Sequence, residues 1–152
     1  MTMLTKSDER GAAATEPFND LLGYHVRRLS FVVMSDLTES LAPLGLKPAD
    51  ASVLMTIAHV PGITQSELGR ALGILRANMT PLIAALMARG LVEREPVDGR
   101  SQALRLSTAG RSTCRAAHKV VKDHEERLFG SLTGPARARL IARLRALWCG
   151  AA

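Results

Sequence analysis

The signatures of covalent catalysis are missing from this sequence. It contains no HExxH, no GxSxG, no phosphate-cradling glycine loop and no dinucleotide fingerprint. Those arrangements place a metal, a nucleophile or a phosphate where chemistry needs them. Serines are present, but no base and orienting group stand at legible spacing from any of them. The chain is therefore expected to be no enzyme and to need no cofactor. Cysteine is scarce: Cys114 and Cys149 stand far apart, with no CxxC and no metal-ligand spacing. Each falls in a helical pattern, as a core or half-exposed thiol would; a redox sensor is the alternative. The four histidines, at positions 25, 59, 118 and 124, form no ligand set, because His118 and His124 share a helix but are six residues apart, not three or four. No metal site is expected. No run reaches the roughly 18 apolar residues of a transmembrane helix. The opening stretch MTMLTKSDERGAAATEP has no apolar segment like that of a signal peptide. The expected location is the cytoplasm.

What is present suits one folded domain: 152 residues, 47% hydrophobic and 22% charged. The formal net charge of +6 is unevenly spread. Residues 1–40 carry −2, residues 41–63 balance, residues 64–106 carry +2, and residues 107–152 carry +6. A basic balance favours polyanions as partners but does not identify one.

Along the chain, residues 1–16 are small, polar and without period, as in a flexible tail. From Phe18 to about Leu41 the apolar residues recur at three- and four-residue steps, which predicts a helix ending before Pro43 and Gly45. Lys47-Pro48 starts another helix, with proline in the first turn where its missing N–H costs nothing. Thr64 followed by Glu67 is a capping box. It predicts a short helix from Gln65 to about Leu72, with Gly73 as its C′ residue. A longer helix follows, to about Arg89. Two helices with so tight a joint make a helix-turn-helix. The period then switches to two. Leu91–Arg94 is a strand, Pro96–Gly99 a turn, and Ala103–Leu106 the returning strand, so a hairpin wing is expected. Two final helices span about 108–130 and 134–148, with Thr133 able to cap the last.

The stretch GILRANMTPLI, residues 73–83, carries the functional expectation. With Met79 at the centre of its buried side, Leu75, Leu82, Ile83 and Leu86 join it. Ala77, Pro81, Ala84 and Ala88 fall opposite, with Arg76, Asn78 and Thr80 on the flanks. A face of small residues lets another surface come close, and a major groove just admits a helix. Asn78 can pair with an adenine edge, Arg76 with guanine or a phosphate, and Thr80 with a thymine methyl or a phosphate. Pro81 removes the hydrogen bond to the Ala77 carbonyl. Either the helix bends there or its regular part begins later; the ring also offers a rigid apolar surface to a base or sugar. On the preceding helix, Gln65 and Ser66 lie at an N-terminus that suits a phosphate. Arg70 is a candidate backbone contact or a solvated arginine. In the wing, Arg94, Arg100 and Arg105 are the basic candidates. Asp98 and Arg100 brace the turn as an ion pair, or Arg100 enters a minor groove.

These residues resemble the MarR family of bacterial winged helix-turn-helix regulators. ITQSELGRALGI resembles the family's helix pair, ALMARGLVER the end of its recognition helix and first wing strand, and DGRSQALRLSTAGR the wing's return. Asp98, Arg100, Leu106, Thr108 and Gly110 match the last of these. The resemblance implies a mainly α fold with a small β-hairpin wing. Its parts would be a flexible tail (1–16), an N-terminal dimerisation helix (17–45), a winged helix-turn-helix DNA-binding lobe (46–108) and C-terminal dimerisation helices (109–152). It also implies a homodimer on a near-palindromic double-stranded DNA operator, with repression as the expected sign of control. A small organic acid, often aromatic, would release the DNA. Two departures stand out. Pro81 resembles a subset that includes peroxide sensors with a reactive N-terminal cysteine, but no cysteine here precedes Cys114, so peroxide sensing is not carried over. The turn at Glu95–Asp98 is also shorter than the common wing tip.

Apolar stretches in the first and last helices, including Leu140, Ile141, Leu144, Leu147 and Trp148, fit a twofold dimer. The alternative is packing within one subunit. A ligand groove would draw on Tyr24, His25, Arg28, His59 and His118, with Arg28 as the carboxylate's partner. The competing expectations are a winged-helix protein-interaction module, or an architectural DNA binder without sequence preference.

Overall fold

The computed structural model describes residues 16–98 and 101–150, and of Val97, Asp98 and Ser101 the backbone alone. The tail expected over residues 1–16 thus lies, up to residue 15, outside the described residues, and so does Arg100. Six α-helices and one antiparallel hairpin are described. They are α1 (Leu22–Leu41), α2 (Pro48–His59), α3 (Gln65–Leu72), α4 (Arg76–Ala88), β1 (Val92–Asp98), β2 (Ser101–Leu106), α5 (Thr108–Phe129) and α6 (Gly134–Cys149). This is the mainly helical architecture with one wing that the sequence predicts. The chain divides into two compact units between Asp36 and Leu37, inside α1.

In the first unit the helix begins later than its apolar period suggests. Phe18 ends a 3-10 turn, Glu16–Phe18, and α1 starts at Leu22. The turn is held by Asn19 N–H donating to the Glu16 carbonyl at 3.2 Å and Leu21 N–H to that of Phe18 at 3.0 Å. The His25 ring donates from Nε2 to the Asn19 carbonyl at 2.8 Å, since a carbonyl can only accept.

The second unit holds the core, where Leu41, Leu54, Ile57, Leu68, Met79, Ile83, Leu86 and Leu104 are almost fully buried. Local chemistry starts three of the unit's helices. At the start of α2, the Asp50 carboxylate accepts the Lys47 N–H at 2.8 Å. At α3, Thr64 and Glu67 form the expected box: Thr64 N–H donates to Glu67 at 2.8 Å, and Glu67 N–H to the Thr64 hydroxyl at 3.3 Å. The Ser107 hydroxyl accepts from Gly110 N–H at 2.9 Å and so caps α5. Thr133 does not cap α6. The N2 position there is Pro135, which has no N–H to give.

The wing is longer than expected. β1 continues through Asp98 and β2 begins at Ser101, so Glu95, Pro96 and Asp98 belong to a strand and not to a turn. The register pairs Val92 with Leu106 and Arg94 with Leu104, and shifts between Pro96 and Asp98. A proline donates no ladder bond, and such an irregularity is where a strand tolerates one. The chain entering α3 adds a third short edge: Leu104 N–H donates to the Ile63 carbonyl at 2.9 Å and Gly62 N–H to that of Leu104 at 3.2 Å. This pairing seats the N-terminus of α3 beside the wing.

Candidate nucleic-acid interface

The α3–α4 joint is tight. Gly73 takes the left-handed conformation, with φ of 63°, and Ile74 N–H returns to the Gly69 carbonyl at 2.9 Å. The two helices are bent by 115° from one another, as in helix-turn-helix pairs. Helix α4 buries Met79, Ile83 and Leu86. Ala77, Pro81, Ala84 and Ala88 are exposed, as are Arg76, Asn78 and Thr80. Leu75 departs from the predicted stripe: it is 74% exposed, because the helix proper begins one residue after it. Pro81 therefore sits at the sixth position of α4, beyond the first turn. Its ring leaves the Ala77 carbonyl without the usual donor, and both residues face out.

Thr80 is not a free hydroxyl. It donates to the Arg76 carbonyl at 3.2 Å and accepts from Gln65 Nε2 at 2.8 Å. The other end of that amide, Oε1 of Gln65, accepts from Arg94 Nη2 at 3.0 Å. Arg94 Nη1 donates in turn to Gln102 Oε1 at 3.3 Å. A continuous hydrogen-bond chain thus runs from α4, through the first residue of α3, to both strands of the wing. Gln102 was absent from the sequence candidates. It lies on the β-face that carries Val92, Leu104 and Leu106 at the root, and that face turns polar outward, where Arg94 and Gln102 meet Gln65.

Beside this chain lies a concavity of about 890 Å³, walled by α3, the start of α4 and the wing. Its lining includes Gln65, Ser66, Arg70, Arg76, Arg94 and Gln102, with three arginines and no carboxylate among the described residues. The surface is cationic, open and free of any nucleophile–base pair, so it suits a polyanion. Arg105, in contrast, is paired with Glu95 on the wing. Just outside, the Thr64 hydroxyl and backbone hold the Glu67 carboxyl below the usual carboxylate range, with Arg70 adding a smaller pull. The side chain of Asp98 and all of Arg100 fall outside the described residues.

The other candidates fall in both units. In the first unit, Tyr24 stacks on Phe18 at 5.1 Å between ring centroids, meets the His25 ring edge-on at 5.5 Å, and lies under the Arg27 guanidinium. Arg28 is exposed. In the second unit, His59 ends α2 and His118 lies on α5, both exposed, and no hydrogen bond or ring contact joins them. His124 is buried. Among the described residues no group of acidic, histidine and cysteine side chains has the geometry of a metal site. Burial raises the Cys114 thiol above its ordinary value, opposed by the nearby Arg115; Cys149 is exposed.

A helix-turn-helix with a hairpin wing and a cationic concavity between them defines a winged-helix regulator. The MarR family model matches residues 44–101. The multiple antibiotic resistance protein MarR of Escherichia coli is 33% identical over 107 residues, 68% of this chain and 74% of that protein. The transcriptional repressor CouR, solved on a 23-mer DNA duplex, superposes with a TM-score of 0.80 at 35% identity, covering 96% of this chain and 99% of CouR. CouR bound to p-coumaroyl-CoA gives 0.75 at 36% identity, over 87% of this chain and 94% of that one. The chain belongs to the MarR family of transcriptional regulators.

Proposed function

We propose that this regulator is a repressor that binds a near-palindromic DNA operator as a homodimer in the cytoplasm. Helix α4 enters the major groove. Arg76 and Asn78 meet base edges or phosphate from its flanks, and the small face of Ala77, Pro81, Ala84 and Ala88 admits the close approach. Gln65, Ser66, Arg70, Thr80 and Arg94 line the path of the phosphate backbone, and Asp98 and Arg100 are further candidates for contact with DNA. The observation that carries the reading is the concavity whose described lining holds three arginines and no carboxylate, beside an exposed helix of small residues. The likeness to CouR on DNA supports it.

The residues on α1 before Asp36 and those on α5 and α6 serve the dimer. Leu140, Ile141, Leu144, Leu147 and Trp148 are between 41% and 65% exposed, and among the described residues of α6 none is buried. Apolar side chains left exposed together in this way mark an interface. Within a twofold dimer, the half-sites would lie one helical turn apart. Release is assigned to a small aromatic acid or its acyl thioester, supported by the p-coumaroyl-CoA complex of CouR. Tyr24, His25, Arg28, His59 and His118 are the effector candidates.

The test is selection of duplex DNA by the purified protein from a random pool at about 0.15 M salt, with sedimentation measured in parallel. Enrichment of an inverted repeat by a dimer is expected. A folded protein that enriches no sequence would move a protein partner to first place. Free aromatic acids and their thioesters are then added to the selected complex, and dissociation by either class identifies the effector chemistry.

A further inference from the structure

The wing carries two described arginines with opposite fates. Arg105 meets a carboxylate, Glu95, and its charge is compensated. Arg94 meets two neutral amide oxygens, those of Gln65 at 3.0 Å and Gln102 at 3.3 Å, and among the described residues no carboxylate pairs with it. A guanidinium has five N–H donors and the described residues engage two, which leaves three and a positive charge that no described carboxylate meets. The amide of Gln65 cannot turn over, because its nitrogen would then face Arg94, which can only donate; as placed, that nitrogen donates to the Thr80 hydroxyl at 2.8 Å. Its oxygen is therefore fixed toward Arg94. An exposed arginine normally loses rotamer freedom when it binds; one already held by two acceptors loses less.

We infer that Gln65 and Gln102 are positioning residues that hold the Arg94 guanidinium, without a described counter-charge and lining the concavity, as a phosphate-binding cation of the wing. The inference rests on the DNA-binding reading above and assigns Gln65 a role different from direct contact. Amides orient a cation without neutralising it; a glutamate at either position would orient it equally well and cancel its charge. The Gln65–Thr80 bond also ties the same cation to α4, so phosphate capture on the wing and entry of the helix share one register.

The experiment measures affinity for the selected operator across a salt series, for wild type, Arg94→Ala, Gln102→Ala, Gln102→Glu and the double variant Arg94→Ala with Gln102→Ala. Circular dichroism checks that each is folded. Arg94→Ala should lower the slope of log affinity against log salt by about one per subunit, uniformly across DNA sequences. Gln102→Ala should weaken binding roughly three- to tenfold, and should add nothing once Arg94 is gone. Gln102→Glu should keep the bond to Arg94 yet lower the salt slope as Arg94→Ala does. Equal losses from Gln102→Ala with and without Arg94, or a wild-type slope for Gln102→Glu, would overturn the positioning role alone. Wild-type protein that binds no duplex at any salt would overturn the DNA reading and this inference together.

Discussion

Gly110, in the first turn of α5, lies directly against the backbone of Leu91, where the wing leaves α4. A Cβ at position 110 would stand 1.9 Å from the Leu91 carbonyl oxygen. The same junction is fastened by Ser107, whose hydroxyl donates to the Gly90 carbonyl at 2.6 Å and whose N–H donates to that of Leu91 at 3.1 Å. Helix α5 is thereby fixed to the root of the wing by backbone contact. Gly110→Ala should destabilise the protein by about 1–3 kcal/mol or more, because backbone and not a flexible side chain must shift. Urea unfolding measures it, and an unchanged midpoint would refute the close approach.

Pro81 lies beyond the first turn of α4, so it gives up a helix bond without the exemption that a first-turn proline enjoys. Pro81→Ala should therefore raise stability, by up to about 3 kcal/mol. It should also change the DNA sequences preferred, since the ring is exposed on the face assigned to the groove. A gain in stability with an unaltered selection would make the proline structural only.

Arg76 and Asn78 are exposed at the start of α4 and flank the alanine face. Alanine at either position should cost about 1–3 kcal/mol of discrimination between the operator and single-base variants if the side chain meets a base edge. A loss equal for all sequences would assign that residue to phosphate.

The capping box gives stability a defined acid limb. Glu67 has its folded value depressed, with the hydroxyl and N–H of Thr64 as the leading causes. Its contribution is present above the ordinary carboxylate value and is lost as pH falls through the lower, folded one. Thermal unfolding followed from neutral to acid pH should show this decline, and Glu67→Gln, which keeps an acceptor but not the charge, should flatten it. The same decline in the variant would remove Glu67 as its source.

The two thiols should separate by reactivity. Cys149 is exposed, whereas Cys114 is buried with its thiol raised by that burial, and the thiolate is the reactive form. A thiol reagent at neutral pH should label Cys149 first and Cys114 only on unfolding. Prompt labelling of Cys114 in the folded protein would revive the redox-sensor alternative.

Local chemistry was enough to place most elements. The bounds of α3 follow from Thr64, Glu67 and Gly73, which act within one turn of the backbone, and the buried stripe of Met79, Ile83 and Leu86 follows from the 3.6-residue period. The outward face of Ala77, Pro81, Ala84 and Ala88 was legible for the same reason. The wing was less so. A turn at Pro96–Gly99 would have set Arg94 opposite Ser101 and put Gln102 on the other face of the hairpin, since a slip in register exchanges the two faces. The irregularity between Pro96 and Asp98 restores Arg94 to Leu104 and brings Gln102 onto its side.

The sequence by itself determined the helix-turn-helix, its caps and its buried stripe, because these depend on residues three or four apart. Only the tertiary structure decided that Gln65, Thr80, Arg94 and Gln102 form one chain, and that Gly110 must be bare. Those relations join residues 8 to 29 positions apart in the first case, and two backbones from different elements in the second. Neither distance is encoded in any local period; both are set by how β2 pairs with the segment before α3 and how α5 settles against the root of the wing.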